Sequence, residues 1–169
     1  MKVIPAQKHP QASEVTMSEM VMSQHINGVG TVFGGVVLSW ADIAAAISAQ
    51  KFAENMVVTA SIDGMHFLHP IKIGWIVSIV AKVNRSRRTS CEVGVKITSM
   101  DPITQVSYHN CTGYFTMVAI DKKGKPTAIP TLVPVTKEDR RRYQAAALRQ
   151  QSRIELYKKQ KAKDTTTHA

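Results

Sequence analysis

Residues 27–42 read NGVGTVFGGVVLSWAD. A glycine-broken loop carrying an amide, Asn27, runs straight into an apolar stretch that holds one carboxylate, Asp42. From Val36 to about Glu54 the pattern is helical, and Asp42 is its one charge before Lys51. A helix apolar nearly all round predicts burial on most sides rather than a place on the surface. Its many alanines leave room for a sheet to wrap closely around it.

Four strand candidates follow: MVVTASIDGMHF (56–67), WIVSIVAKVNR (75–85), TSCEVGVKITSM (89–100) and QVSYHNCTGYFTMVAID (105–121). In the third, Cys91, Val93, Val95 and Ile97 face one way while Glu92, Lys96 and Thr98 face the other, the pattern of a half-buried strand. The fourth is long enough to bend strongly, with Gly113 as the expected bulge. SEMVMS (18–23) predicts a short first strand, and residues 1–16, with Pro5 and Pro10 and no periodicity, a flexible arm. Thr136 opens a basic helix, with Asp139 at capping-box spacing. That helix is expected to reach about Lys161 on a stripe of Tyr143, Ala147, Ile154 and Tyr157, and then to fray. The organisation is a single α+β domain over residues 17–135, followed by a basic C-terminal helix and tail over 136–169.

The composition bounds the rest. At 169 residues, 44% hydrophobic and 20% charged, the chain suits one core. Its apolar stretches are too short to span a membrane, and its first residues lack a signal-peptide core, so a cytoplasmic protein is expected. Cys91 and Cys111 have no CxxC spacing and predict two reduced, buried thiols. His66 and His69 have chelate-like spacing, but no second ligand pair supports them, so no metal is expected. The net charge of +10 is weighted toward residues 137–164, which hold ten Lys/Arg against four Asp/Glu. Such a tail is a solvated face or an attractor of anions: nucleic acid, anionic lipid or a phosphorylated small substrate.

An Asp inside an apolar helix is costly unless paired, hydrogen-bonded or open to a cavity. Asp42 therefore either accepts a hydrogen bond from a core Ser, Thr or Trp, such as Ser39 or Trp40, or is a base or nucleophile in a partly dry cleft. Gly34 and Gly35 open the helix, and their unpaired N–H groups can hold a carbonyl oxygen or oxyanion. With the amide of Asn27, these are the parts of acyl-transfer chemistry. Asp42 lies seven residues beyond Gly35, roughly 10 Å along a helix. Donors and carboxylate of one chain cannot easily grip the same carbonyl, which predicts a dimer.

The loop NGVGTVFGG with its Asp resembles the acyl-CoA thioesterases of the hotdog fold, in the branch of short bacterial hydrolases and animal cytosolic tandem-domain enzymes. The resemblance continues through VVTASIDGMHFLHPIKIGWIVSIVAKV, RRTSCEVGVKI, NCTGYFTMVAIDKKGKPTAIPTLVP and TKEDRRRY, over roughly residues 14–160. It implies a long central helix wrapped by an antiparallel sheet, paired as homodimers with sites at the interface and often assembled as trimers of dimers. It implies that Asn27 orients the thioester carbonyl or water, that Asp42 of the partner chain is general base or nucleophile, and that Gly35 supplies an oxyanion donor. Phe33 stands where many relatives have His, and Ala41 where many have a bulkier residue. The substrate would be acyl-CoA, with coenzyme A part of the substrate and no separate cofactor. Its phosphates would meet the hairpin Arg87, Arg88, Thr89 and Ser90, helped by Gly34. Gly64, after Asp63, either lines the pocket or turns the chain. Three rivals remain. A hotdog hydratase of the Asp-x4-His type would need His where Ile47 stands, a non-catalytic acyl-CoA module would not need the intact Asn27/Asp42 pair, and a nucleic-acid binder would need more than Tyr143 and Tyr157 as a stacking platform. Neither nucleic acid nor membrane is an expected partner.

Overall fold

The structure is a computed structural model that describes residues 7–167, with side chains through Lys159. Its centre is helix α1, Gly34–Ala53. Around it curls a five-stranded antiparallel sheet of β2 (Val15–Met20), β3 (Met56–Ile62), β4 (Ile76–Ser86), β5 (Ser90–Met100) and β6 (Ser107–Ile120), in spatial order β2-β4-β5-β6-β3. Helix α2, Lys137–Thr167, lies on the sheet's outer face. Two short strands, β1 (Gln7–Lys8) and β7 (Thr131–Leu132), pair in parallel beside the sheet.

The sheet wraps α1 because the buried face of that helix is made of small residues. Ala41, Ala44, Ala45 and Ala49 are fully buried, and the inward residues of β4, β5 and β6, among them Val77, Ile79, Val93, Val95, Ile97, Phe115 and Met117, close over them. Cys91, Val93, Val95 and Ile97 all face inward, as their alternation predicts. Both cysteines are free and buried. Burial pushes the Cys91 thiol up to about 12, with the neighbouring Glu92 charge adding to it, and Cys111 to about 11.

In several places the structure departs from what the sequence suggests. Helix α1 is buried on most sides as expected, and the side it leaves open carries Ile43 and Ile47, 46% and 39% exposed, where the pattern gives no reason for apolar exposure. The segment expected to be a flexible arm is ordered from Gln7, while residues 1–6 lie outside the described part. Ser13 accepts from the Val83 N–H at 3.0 Å, and the Lys8 ammonium bonds the carbonyls of Lys51 and Phe52, capping the C-terminus of α1. Prolines without periodicity conceal such docking, because one buried apolar residue, Pro10, and a few side-chain hydrogen bonds create it rather than a repeating apolar pattern. The first strand accordingly begins at Val15, before the SEMVMS segment.

Gly113 is not a bulge. It stays in register opposite Val95, and its missing side chain leaves room for Met65. Register shifts fall instead at Ala60, Asn84 and Asn110, each left without a cross-strand partner. At Asn110 the side chain donates to the His69 carbonyl, while its own backbone carbonyl accepts from Leu68. An asparagine replaces the broken ladder bonds that glycine would leave open.

Helix α2 has the expected capping box: Asp139 N–H to Thr136 Oγ1, and Thr136 N–H to Asp139 Oδ2, each 3.0 Å. It is helical to Thr167, past the expected end, with no Gly or Pro to stop it. Only the start of the expected stripe seats it: Tyr143 packs against the core, whereas Ile154 and Tyr157 are 42% and 66% exposed. The seat is largely polar. Arg149 stacks on Tyr114 at 3.5 Å, and Arg85 stacks on Tyr143 at 5.1 Å.

Candidate active site

Asp42 sits on α1 against the edge strand β3, half-buried in the single chain. Its hydrogen-bond donor is neither Ser39 nor Trp40. Thr59 of β3 donates its hydroxyl to Asp42 Oδ1 at 2.7 Å, and the same hydroxyl oxygen lies 3.4 Å from Met117 Sδ on β6. Thr59 has one proton to give, and the carboxylate is much the better acceptor. Oδ1 is thus fixed by the strand while Oδ2 is left for another partner. Ala60, the bulged residue next to Thr59, bends the edge strand at this point.

Asn27 closes the loop that leads into α1. Its Oδ1 accepts from the N–H groups of Val29 at 3.0 Å and Thr31 at 3.2 Å, and its Nδ2 donates to Thr31 Oγ1 at 3.1 Å. Nδ2 carries a second N–H that finds no acceptor among the described residues. The loop is held on α1 by the His25 ring, edge-on to Trp40 at 5.1 Å, and by the Phe33 N–H bonded to the His25 carbonyl at 2.8 Å.

Helix α1 begins at Gly34 with no side-chain cap from Phe33. The Phe33 carbonyl takes its first bonds from Val36 and Val37, and among the described residues the N–H groups of Gly34 and Gly35 have no backbone acceptor. Phe33 packs over Gly35 so closely that a Cβ there would come within 2.4 Å of the ring. A side chain there would have to displace the Phe33 ring. On the other side, Phe67, Val32, Val37 and Ile71 line an apolar recess of about 280 Å³ beside Gly34.

The structure therefore brings Asn27, Gly34 and Gly35 together at one end of α1 and places Asp42 with Thr59 further along it, as the seven-residue spacing requires. The hairpin residues divide. Arg87 donates to the Gln150 side-chain oxygen at 2.6 and 3.2 Å, and with Ser90 it lines a small gap under α2. Arg88 is exposed, its carbonyl pinned by the Ile129 N–H, and the Thr89 carbonyl is pinned by Ala119. Gly64 is exposed, next to Asp63, which α2 holds through Arg153 Nη1 at 2.6 Å. His66 is exposed, and His69 packs against Tyr108.

Two groups escaped the sequence. Thr59 looks like any strand threonine, and its link to Asp42 depends on β3 following α1 back along its length. Glu92 lies on the face that alternation assigns to solvent, yet it is 5% exposed. It accepts from Arg149 Nη2 at 2.7 Å, Arg153 Nη2 at 3.0 Å and Asn84 Nδ2 at 3.2 Å. Burial pushes its carboxyl up, but the two arginines and Asn84 outweigh burial and hold it below the ordinary range. Asp139 is likewise held well below it: burial opposes, and bonds from Thr136 and Gln11 with the Lys82 charge prevail.

The comparisons with known proteins agree with this architecture. The thioesterase superfamily model matches residues 29–105. The acyl-CoA thioester hydrolase YciA of Escherichia coli is 36% identical over 69% of this chain and 91% of that protein. An acyl-CoA hydrolase of Staphylococcus aureus, solved with butyryl coenzyme A, coenzyme A and coenzyme A disulfide, superposes with a TM-score of 0.87 at 32% identity, over 96% of this chain and 99% of that one. It has also been solved with one Asp, one Asn or one Thr replaced by Ala. A hexameric thioesterase of Yersinia pestis matches with a TM-score of 0.64 at 31% identity, over 68% of this chain and 93% of that one. A helix wrapped by this sheet and relatives matched along most of their length make the chain a member of the thioesterase superfamily, with the hotdog fold.

Proposed function

We propose that this chain is an acyl-CoA hydrolase whose site is completed by a second copy of itself. The observation that carries the proposal is the split along α1: uncovered donors at Gly35 and Asn27, a Thr59-fixed carboxylate at Asp42, and seven residues of helix between Gly35 and Asp42. An antiparallel partner seated on β3 would bring the donors of one chain to the carboxylate of the other. The edge of β3 is unpaired in the single chain, and Met56, Val58 and Ile62 on it are exposed beside Ile43 and Ile47 of α1. Such an edge needs a cover. The Staphylococcus aureus variants support the assignment: the Asp, Asn and Thr replaced there carry numbers one higher than Asp42, Asn27 and Thr59 here.

In the reaction, the Gly35 N–H and Asn27 Nδ2 polarise the thioester carbonyl and stabilise the oxyanion. Asp42 Oδ2 takes a proton from water as its oxygen attacks the carbonyl carbon. The C–S bond then breaks, and the coenzyme A sulfur leaves with that proton. Arg88, an exposed side chain of the β4–β5 hairpin beside the likewise exposed Arg87, meets a coenzyme A phosphate.

The test is thiol release from acyl-CoAs of increasing chain length by wild type, Asp42→Ala and Asn27→Ala. The expected result is turnover by wild type and loss of most activity in both variants, with fold and oligomer intact. Binding of acyl-CoA without thiol release by wild type would overturn the proposal. Two readouts separate base from nucleophile: with Asp42 as base, a single turnover in ¹⁸O-water labels only the product acid and hydroxylamine traps no acyl-enzyme, whereas a trapped acyl-enzyme or label in the Asp42 carboxylate would show direct attack.

A further inference from the structure

On the outer face of the sheet, beneath α2, lies a cavity of about 380 Å³. Four cations line it, Lys96, Arg141, Arg142 and Arg149, together with His109, and no carboxylate does. The cavity exists because two positions are small. Arg141, Ala145 and Arg149 follow one another at four-residue spacing on one face of α2, so Ala145 leaves a hollow between two guanidinium groups. Opposite it Gly94 forms the floor, where a Cβ would fall within 2.6 Å of Asn84 Nδ2.

Charge in this cleft is not balanced. Glu138 alone answers both Arg141, at 2.7 Å, and Arg142, at 2.9 Å. Glu92 answers Arg149 at 2.7 Å but is shared with Arg153 at 3.0 Å. Lys96 has no ion-pair partner among the described residues. Asp139 at the start of α2 and Glu14 before β2 are paired with Lys82. The Nε/Nη2 edges of Arg141 and Arg149 are held by Glu138 and Glu92, which leaves an excess of about two positive charges on the wall, with the Lys96 ammonium and the remaining Nη groups as donors for phosphate. It lies across the sheet from α1, so a ligand here cannot touch the Asp42–Thr59 pair of the same chain.

We propose that this cleft binds a phosphate-bearing dianion, a small phosphorylated metabolite, at a site separate from the hydrolytic one. The probes are inorganic phosphate and glycerol phosphate, titrated at constant ionic strength into the full chain and into Lys96→Glu, with calorimetry and the unfolding midpoint as readouts. Saturable binding by wild type, weakened about tenfold or more in Lys96→Glu with thioester hydrolysis unchanged, is the expected result. An equal response from both proteins, or no saturable binding, overturns the proposal. Kinetics identify the source of the phosphate. If Lys96→Glu raises KM for acyl-CoA but not for the thioester of 3′-dephospho-coenzyme A, the cleft receives the substrate's own phosphate and the separate site is refuted.

Discussion

Replacing Thr59 by Val removes one hydroxyl and keeps the shape of the side chain. The lost interaction is the 2.7 Å bond to Asp42 Oδ1. A hydrogen bond to a charged group is worth about 1.5–3 kcal/mol, and each 1.4 kcal/mol is a factor of ten, so kcat/KM should fall about 10- to 150-fold. The loss should lie in kcat rather than KM, because Thr59 aims the carboxylate and does not hold the coenzyme. Stability should change little, since Val is at least as good a strand residue as Thr. The assay is thiol release under saturating and limiting acyl-CoA, with the unfolding midpoint as control. Thr59→Ser keeps the donor and should recover most of the rate. Wild-type kcat in Thr59→Val, or equal damage in Thr59→Ser, would refute the idea that this bond aims Asp42.

Further outcomes follow from the same geometry. Gly35→Ala should lower kcat, because the new methyl collides with the Phe33 ring; adding Phe33→Ala should relieve the overpacking, which costs about 1–3 kcal/mol, and raise the unfolding midpoint of the single variant. Val58→Lys, a charge on the bare edge of β3, should yield monomers by analytical ultracentrifugation and abolish turnover, while leaving the circular dichroism spectrum of the chain unchanged. The Glu92 carboxyl is held below its ordinary value of 4.5, so its contribution to stability is complete above about pH 4.5 and is lost as the pH falls through the lowered folded value. The gap in unfolding midpoint between wild type and Glu92→Gln should therefore be full at pH 7 and shrink below pH 4.5; a gap that is constant with pH would mean that Glu92 is not held as an anion.

How much of this was legible in the sequence depends on what kind of force each feature uses. The long helix, its alanine face and the inward residues of the strands are written in apolar periodicity, and the structure has them where the pattern predicts. Asn27, Gly34, Gly35 and Asp42 stand out because each breaks that pattern: an amide in a tight loop, two glycines at a helix start, a carboxylate in an apolar run. Thr59 breaks nothing and is found only once β3 is laid along α1. The seat of α2 was misjudged for the opposite reason. Periodicity finds Tyr143, which packs against the core and Arg85, but its extension to Ile154 and Tyr157 fails, and the remaining contacts are made by Arg149 and Arg153 against Glu92 and Asp63. Ion pairs over long sequence separations leave no periodic trace. In the hairpin, Arg87 and Arg88 are both exposed, and Arg87 also reaches Gln150 of α2, a contact over long sequence separation that leaves no trace in the pattern.

The claim on which the account rests is that Asn27 and Asp42 of each working site belong to different chains. Asn27→Ala and Asp42→Ala proteins, each inactive, are unfolded together, refolded as a mixture and assayed for thiol release. Random pairing makes half of the dimers mixed, and each mixed dimer rebuilds one of its two sites, so activity should return to about one quarter of wild type. A mixture that stays as inactive as its components, although subunit exchange is shown by mass spectrometry, would place both residues in one chain's site and contradict the account.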